Sequence, residues 1–256
     1  MASKPWSRDE LILAMNLYCR LPFGKCDHRN AEVIALANAI GRTPSSVAMK
    51  LCNLASLDPY HRERGVKGLE GASRGDRAIW DEFHADWESL AVLSEQLRES
   101  LVLAGVGTTS PEEEHEVAYS GETEAERPVR VRLVQRFFRQ SVLAAYESRC
   151  CVTGVNLPQL LIASHILPWS GFPKHRANPR NGLCLSRLHD AAFDQGLIGF
   201  DEKYRMVLSK GLSDATTNEV LTACFRRYEG RPIQLPERFR PDSTFLENHM
   251  MTVFQP

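Results

Sequence analysis

One histidine, one asparagine and a histidine–aspartate pair occur at set distances between Ile162 and Gly196, and this spacing constrains the local fold more than any other feature of the chain. The stretch around His165 is I-A-S-H-I-L-P-W, and the stretch that begins at Asn181 is N-G-L-C-L-S-R-L-H-D-A-A-F-D-Q-G. The residues around His165 are apolar, and Pro168 and Gly171 interrupt the run. This pattern predicts a strand that ends in a loop.

A second strand and a helix are predicted directly after Asn181. The apolar run 183–185 predicts the strand, and Ser186 is a residue type that caps the first turn of a helix. The predicted buried positions of this helix are Leu188, Ala192 and Phe193. In the resulting order of strand, loop, strand and helix, His165 faces either His189 or Asp190, and a cation can lie between them.

These motifs resemble the HNH endonucleases of the ββα-metal fold, specifically the branch with A-x-H-I-x-P-W followed by N-G-L-x-L and F-D-x-G-L. The resemblance covers roughly residues 149–200. It implies that His165 is the general base, that Asn181 braces the loop carrying His165, and that Asp190 or the adjacent His189 binds the metal ion. Many HNH enzymes have an aspartate or another strong ligand just before the base. This chain has Ser164 there, and a hydroxyl is a poor ligand.

The residue types suit the hydrolysis of a phosphodiester. A neutral imidazole, with an ordinary pKa of about 6.5, can accept a proton from water at cellular pH. His165 is therefore predicted to generate the attacking hydroxide, while a divalent ion held by Asp190, with His189 or water, stabilises the developing charge. Mg²⁺ or Mn²⁺ fits an oxygen-rich site, whereas an imidazole ligand would favour Mn²⁺, Co²⁺, Ni²⁺ or Zn²⁺, so the identity of the metal stays open.

The cysteines give no signature of a structural zinc site. The seven cysteines include no C-x-x-C pair, so a four-cysteine site is not expected. Their odd number, without a signal peptide, indicates reduced thiols and predicts a cytoplasmic protein. No apolar run approaches the ~20 residues that span a bilayer, so no membrane partner is expected.

An acidic segment divides the chain into two predicted domains. Residues 111–126 contain seven glutamates and no lysine or arginine, which is typical of a solvated linker. The predicted domains are a helical domain at 1–103 and a nuclease domain at 128–256, joined by a flexible linker at 104–127. A basic helix follows the linker, and three of its arginines are predicted to grip phosphates beside the nuclease groove: Arg130, Arg132 and Arg136. A solvated helix face that balances the acidic linker is the alternative.

The first domain is predicted to bind DNA through a helix-turn-helix. One helix is predicted from Asn30 to Ile40 and a second from Thr43 to about Ser56, with Gly41 between them. Three positions have the motif's spacing: Ala37, Gly41 and Val47. The second helix would enter the major groove with five residues available to bases or phosphates: Ser45, Ser46, Met49, Lys50 and Asn53. An ordinary helical hairpin is the alternative. The segments W-S-R-D-E-L, G-R-T-P-S-S-V-A-M-K-L and A-S-L-D-P resemble the amino-terminal domain of some predicted bacterial restriction-type HNH proteins.

The sequence thus predicts a two-domain α+β protein, with a helix-turn-helix-like DNA reader followed by an HNH nuclease of restriction or defence type that cuts duplex DNA. One metal site cuts one strand at a time, so a symmetric homodimer is a further expectation. Two other functions stay open. One is a noncatalytic DNA-binding regulator that keeps a degenerate HNH scaffold, which Ser164 favours. The other is a repair or toxin nuclease that acts on structured DNA or on RNA.

Overall fold

In the residues that the structure describes, the protein consists of helices and two small antiparallel sheets, which confirms the predicted α+β class. The computed structural model describes residues 4–59, 71–103, 126–215 and 218–256. The chain divides into two units, Met1–Phe137 and Phe138–Pro256. The nuclease domain was predicted to start at residue 128, but the residues through Phe137 group with the first unit. The predicted linker at 104–127 lies almost entirely outside the described residues.

The described part of the first unit is helical. It contains α1 (Arg8–Arg20), α2 (Ala31–Ala39), α3 (Pro44–Ala55), α4 (Arg74–Ala85), α5 (Trp87–Leu103) and the beginning of α6 (Glu126–Ala145). Both α1 and α4 begin with a capping box, in which Ser7 pairs with Glu10 and Ser73 pairs with Asp76. Each box satisfies backbone N–H groups that a helix start otherwise leaves unbonded. The apolar faces form a core around Tyr18 and Phe83.

The two helices predicted between residues 30 and 56 are present as α2 and α3. The Asn30 side chain accepts hydrogen bonds from the first turn of α2, and Thr43 caps α3, whose first residue is Pro44. Gly41 lies between the helices with φ of +67°, a backbone conformation that favours glycine. Buried residues hold the pair together: Val33, Ala37, Val47 and Leu51.

The second unit is built around a hairpin and the helix that follows it. Strand β1 (Leu161–His165) pairs antiparallel with β2 (Gly182–Ser186), and in this register His165 lies opposite Gly182. Ser186 then caps α7 (Arg187–Asp194). The order of strand, loop, strand and helix is as predicted. Strands β3 (Ile198–Phe200) and β4 (Met206–Leu208) form a second hairpin, followed by α8 (Lys210–Ala215), α9 (Glu219–Cys224) and α10 (Ser243–Thr252).

The end of α6 packs closely against the β1–β2 hairpin. A Cβ at Gly182 would lie 2.3 Å from Cγ2 of Val142 and 2.9 Å from Cζ of Phe138, so only glycine permits this approach. The close packing brings the Phe138 ring against the end of β1, where His165 lies. Across the described ranges, every helix is too short or too polar to span a bilayer.

Candidate active site

His165 is held in one orientation at the end of β1. Its ring stacks on Phe138, with centroids 3.7 Å apart and planes 9° apart, and the Trp169 ring meets it edge-on at 5.5 Å. Nε2 lies 2.9 Å from the carbonyl oxygen of Arg176. Because a carbonyl only accepts hydrogen bonds, Nε2 carries the proton and Nδ1 carries the basic lone pair. Among the described residues, none forms a hydrogen bond with Nδ1.

The surroundings of His165 keep its imidazole neutral. Burial lowers the pKa of His165 to about 4; the hydrogen bond to the Arg176 carbonyl opposes this change, and the Arg176 charge adds to it. At neutral pH the ring is therefore in the form that can accept a proton.

Asn181 ties together the loop between β1 and β2. Its Oδ1 accepts a hydrogen bond from Leu167 N at 2.8 Å, and its Nδ2 donates to the carbonyl oxygens of Leu167 and His175 at 3.3 and 3.2 Å. Its backbone oxygen also accepts a hydrogen bond from Ile166 N. The side chain is buried, so each of these hydrogen bonds is costly to lose. One residue thereby fixes both ends of the loop that starts at His165.

Two carboxylates share one face of α7. Asp190 and Asp194 are four residues apart, a spacing that places side chains on the same side of a helix. Burial raises the pKa of Asp190, and burial together with the negative charge of Asp190 raises the pKa of Asp194 to about 6. Neither carboxylate forms a salt bridge with any residue in the described ranges. The Ser164 hydroxyl and the positive charge of Arg187 oppose the effect of burial on the pKa of Asp190, so the negative charge of the pair is only partly compensated.

Ser164 lies beside Asp190. Its hydroxyl is buried and has no hydrogen-bond partner at normal distance among the described residues, yet it is near enough to Asp190 to favour the ionised carboxylate. Mg²⁺ and Mn²⁺ prefer oxygen donors, so the two carboxylates are the candidate ligands and the Ser164 hydroxyl is a weaker third donor. No group of three or more His, Cys, Asp or Glu side chains with metal-binding geometry occurs in the part of the chain that the structure describes.

His189 was predicted as a possible metal ligand, and the structure corrects this prediction. The residue is buried; its Nδ1 lies 2.8 Å from the Ser186 hydroxyl and its Nε2 lies 2.8 Å from the carbonyl oxygen of Cys224. Because both ring nitrogens are hydrogen-bonded, no lone pair is left for a metal ion. Leu188, predicted to be buried, is 45% exposed, whereas Ala192 and Phe193 are buried as predicted.

The residues predicted to read DNA from α3 fall into two groups. Ser45 and Met49 are exposed and Ser46 is half-buried, so these three line the outer face of the helix. Lys50 and Asn53 are buried, and Lys50 Nζ lies 2.6 Å from Oδ1 of Asp76 on α4. The prediction that Lys50 and Asn53 contact DNA is therefore wrong, because both side chains belong to the packing of the first unit.

The three arginines of α6 that were predicted to grip phosphates lie in the first unit. Arg136 forms salt bridges with Glu95 and Glu99, each at 2.7 Å, and Glu95 is completely buried. The prediction that Arg136 grips a phosphate is therefore corrected, because its positive charge pairs with the two glutamates of α5. Arg130 pairs with Glu88 at 3.2 Å on the surface, and Arg132 is exposed.

Three residues of the site were not predicted as site residues from the sequence. For Asp194, the signal in the sequence is its four-residue spacing from Asp190, which places both carboxylates on one face of the predicted helix. Phe138 supports the base by stacking on the His165 ring. Arg176, which was not singled out, supplies the carbonyl that orients His165. Their proximity is set by packing between segments distant in sequence.

Comparison with known proteins supports this interpretation of the second unit. Residues 150–201 match the family model HNH_2, described as HNH endonuclease. The matched segment contains β1, β2, α7 and β3, and with them His165, Asn181 and both carboxylates. It supports an HNH endonuclease domain, and thus a nuclease that acts on nucleic acid, in this part of the chain. No curated protein matches the sequence.

Proposed function

We propose that this protein is a divalent-metal-dependent endonuclease that hydrolyses phosphodiester bonds in duplex DNA. The main observation behind this proposal is the single orientation of His165, a neutral imidazole whose Nε2 donates its proton to a backbone carbonyl. This histidine lies within the residues that match an HNH endonuclease model. A fixed neutral base on β1 and two carboxylates on α7, the helix that directly follows the hairpin, supply the kinds of group that one-metal hydrolysis uses.

His165 would take the proton from the attacking water on Nδ1. A bound phosphodiester brings negative charge close to the imidazole, and negative charge raises the pKa of a nearby histidine, so the base becomes stronger when the substrate is present. The resulting hydroxide attacks phosphorus, the bond to the 3′ oxygen breaks, and the products carry a 5′ phosphate and a 3′ hydroxyl. Asn181 holds the loop so that the base keeps its position while the proton moves.

Asp190 and Asp194 would hold the ion, with the Ser164 hydroxyl and water completing the oxygen ligands. The donor set fits Mg²⁺ or Mn²⁺, since both ring nitrogens of His189, the histidine of α7, are hydrogen-bonded. Such an ion supplies Lewis-acid stabilisation of the charge on the phosphate and the leaving oxygen. A cation would also relieve the repulsion that raises the pKa of Asp194.

The first unit would bind the duplex. The exposed face of α3, with Ser45, Ser46 and Met49, is the surface that a helix-turn-helix presents to the major groove. Arg130 and Arg132 add positive charge in the same unit. Two protomers would cut both strands of a site, and a restriction or defence role follows from the resemblance of the chain.

Nicking of supercoiled plasmid tests the activity. Wild-type protein with Mg²⁺ or Mn²⁺ should nick the plasmid, and a chelator or His165→Ala should abolish nicking. His28→Ala, which changes an exposed histidine of the first unit, should leave the rate unchanged. Cleavage of single-stranded or branched substrates in preference to duplex would contradict the assigned substrate.

Direct metal binding tests the ligands. Manganese affinity, measured by calorimetry or by electron paramagnetic resonance, should fall at least tenfold in Asp190→Asn and in Asp194→Asn. It should be unchanged in Asp214→Asn, which alters an exposed carboxylate of α8.

A noncatalytic DNA-binding regulator is the second candidate, and Ser164 favours it because a hydroxyl replaces the stronger ligand found in many HNH enzymes. Tight duplex binding without nicking by any of these proteins would establish the regulator and exclude the nuclease.

A further inference from the structure

The last turn of α7 carries Asp194, and the sequence of the helix does little to stabilise this turn. The helix has eight residues and no basic residue in its last turn, and a helix of this length is not stable on its own. Asp194 is its final residue, where the helix dipole disfavours a negative charge, and Asp190 four residues earlier repels it. Contacts from outside the helix must therefore hold Asp194 in place.

A Schellman motif closes α7 and leaves carbonyl groups beyond it. Gly196, with φ of +68°, donates from its backbone N to the Phe193 carbonyl at 2.9 Å, and Leu197 N donates to the Ala192 carbonyl at 2.8 Å. The carbonyl oxygens of Gln195 and Gly196 lie past the last of these bonds. Their partners therefore come from water or from another part of the chain.

His249 bonds the residue just before Asp194. Its Nε2 donates to the Phe193 carbonyl at 3.1 Å, and the two rings stack with centroids 3.7 Å apart and planes 4° apart. Because His249 is buried, water does not compete for this contact. The backbone on one side of Asp194 is thus held by α10.

Gln255 bonds the two residues just after Asp194. Its side-chain Nε2 donates to the Gln195 carbonyl at 3.1 Å, and its backbone N donates to the Gly196 carbonyl at 3.0 Å. Both donors bring partial positive charge to the end of α7, where the helix dipole is negative. They therefore offset the unfavourable position of the Asp194 charge.

Close packing fixes the segment 249–255 relative to α7. A Cβ at Gly196 would lie 2.1 Å from the carbonyl oxygen of Val253, and a Cβ at Gly199, on β3, would lie 2.3 Å from Sδ of Met250. A side chain at either position would displace one of these neighbours. The segment thus lies directly against the end of α7 and against β3.

We propose that His249 and Gln255 are positioning residues for the metal site. They hold the last turn of α7 so that the Asp194 carboxylate lies beside that of Asp190. This inference rests on the assignment of these two carboxylates as ligands in the proposed endonuclease. Asp190 lies inside the helix and is held by the helix itself, whereas Asp194 depends on the segment 249–255. Since Mg²⁺ requires a near-octahedral arrangement of ligands, displacement of one carboxylate lowers the affinity for the ion.

Manganese affinity, measured by electron paramagnetic resonance, tests the positioning. Gln255→Ala removes the side-chain donor at an exposed position, and His249→Phe keeps an aromatic ring against Phe193 while removing the Nε2 donor. Each variant should bind Mn²⁺ about two- to tenfold more weakly than wild type, the range that corresponds to the loss of one net hydrogen bond. Gln234→Ala removes a glutamine side chain at another exposed position of the second unit and should bind Mn²⁺ as wild type does. Should His249→Phe not fold, Gln255→Ala decides alone.

A double-mutant cycle separates the positioning of Asp194 from general stabilisation. Asp194→Ala removes the carboxylate that the segment holds, so adding Gln255→Ala to it should cause no further loss of Mn²⁺ affinity. Hydrogen exchange of the metal-free protein gives a second readout. The amides of residues 191–197 should exchange faster in Gln255→Ala and at the wild-type rate in Gln234→Ala.

The outcomes distinguish this inference from the activity on which it rests. If wild-type protein binds no Mn²⁺, the proposed metal site fails and the inference fails with it. If wild-type protein binds Mn²⁺ and either variant binds it equally tightly, only the positioning role of that residue is overturned. An equal loss from Gln255→Ala in the wild-type and Asp194→Ala proteins would also overturn it, since the segment then stabilises the unit as a whole. Mn²⁺ binding that depends on Gln255 in a protein that does not nick DNA would refute the nuclease and support the positioning role.

Discussion

Acid should destabilise the second unit in part through the buried His249, and His249→Gln should remove this part of the effect. His249 is 2% exposed, its Nε2 donates to the carbonyl oxygen of Phe193 at 3.1 Å, and its ring stacks on Phe193 with centroids 3.7 Å apart. The side chain therefore packs against α7, the helix that carries Phe193.

Burial lowers the pKa of His249 from 6.5 to about 4. Since the native state prefers the neutral ring, the unfolded state binds more protons between these two pKa values, and stability is lost as the pH falls from 6.5 towards 4. The difference of about 2.5 between the two pKa values corresponds to a limit of about 3.4 kcal/mol, of which about 2 kcal/mol is lost between pH 7 and pH 5.

Urea unfolding at pH 7 and pH 5, followed by hydrogen exchange in peptides covering α7, measures this loss where His249 packs. Glutamine keeps a donor for the Phe193 carbonyl and does not titrate, so the variant should be less stable than wild type at pH 7. The difference between the two proteins should shrink by about 2 kcal/mol at pH 5. Asn248→Ala, at the neighbouring position, should show the wild-type pH dependence. An equal loss from pH 7 to pH 5 in wild type and His249→Gln would refute the reasoning.

Three further perturbations follow from the packing. Gly182→Ala places a Cβ against Val142 and Phe138, so the free energy of unfolding should fall by about 1–3 kcal/mol. Nicking should also slow, because Phe138 shifts under His165. The control is Gly171→Ala, where a Cβ meets nothing within 4 Å, and it should change neither stability nor nicking. Lys50→Met leaves the charge of the buried Asp76 carboxylate without its ion-pair partner. Urea unfolding should show that the free energy of unfolding of the first unit falls by about 3–5 kcal/mol. Lys25→Met, which alters an exposed lysine, should cause no such loss. Asn181→Ala removes the hydrogen bonds to Leu167 and His175, so hydrogen exchange in residues 166–176 should accelerate and kcat should fall. Unchanged exchange would contradict the bracing role of Asn181. The control is Asn156→Ala, which alters an exposed asparagine.

The hairpin and helix of the second unit were predictable because their signals are local. An apolar run with a proline and a glycine behind it defines β1 and its loop, and a serine at the right position caps α7. Helices α2 and α3 were predictable for the same reason. Asn30 and Thr43 cap the first turns of these helices, and Gly41 adopts the positive φ of the turn between them.

The direction of individual side chains was less predictable. Neighbouring residues on a helix point about 100° apart, so a shift of one position in the buried face of α7 exchanges a predicted ligand for a core residue. His189 is buried because Cys224 and Phe225 pack on it, and both belong to a segment that follows much later in the chain. Lys50 on α3 is buried because Asp76 on α4 lies opposite it.

The sequence by itself determined which segments form strands and helices, where the helices begin, and which histidine, asparagine and aspartate share one hairpin and helix. Only the tertiary structure decided that His165 rests on Phe138, that His189 is buried while Asp190 and Asp194 share a face, and that Arg176 supplies the carbonyl that orients the base. Backbone conformation depends on neighbouring residues, whereas burial, charge compensation and pKa depend on groups brought close by packing between segments far apart in the chain.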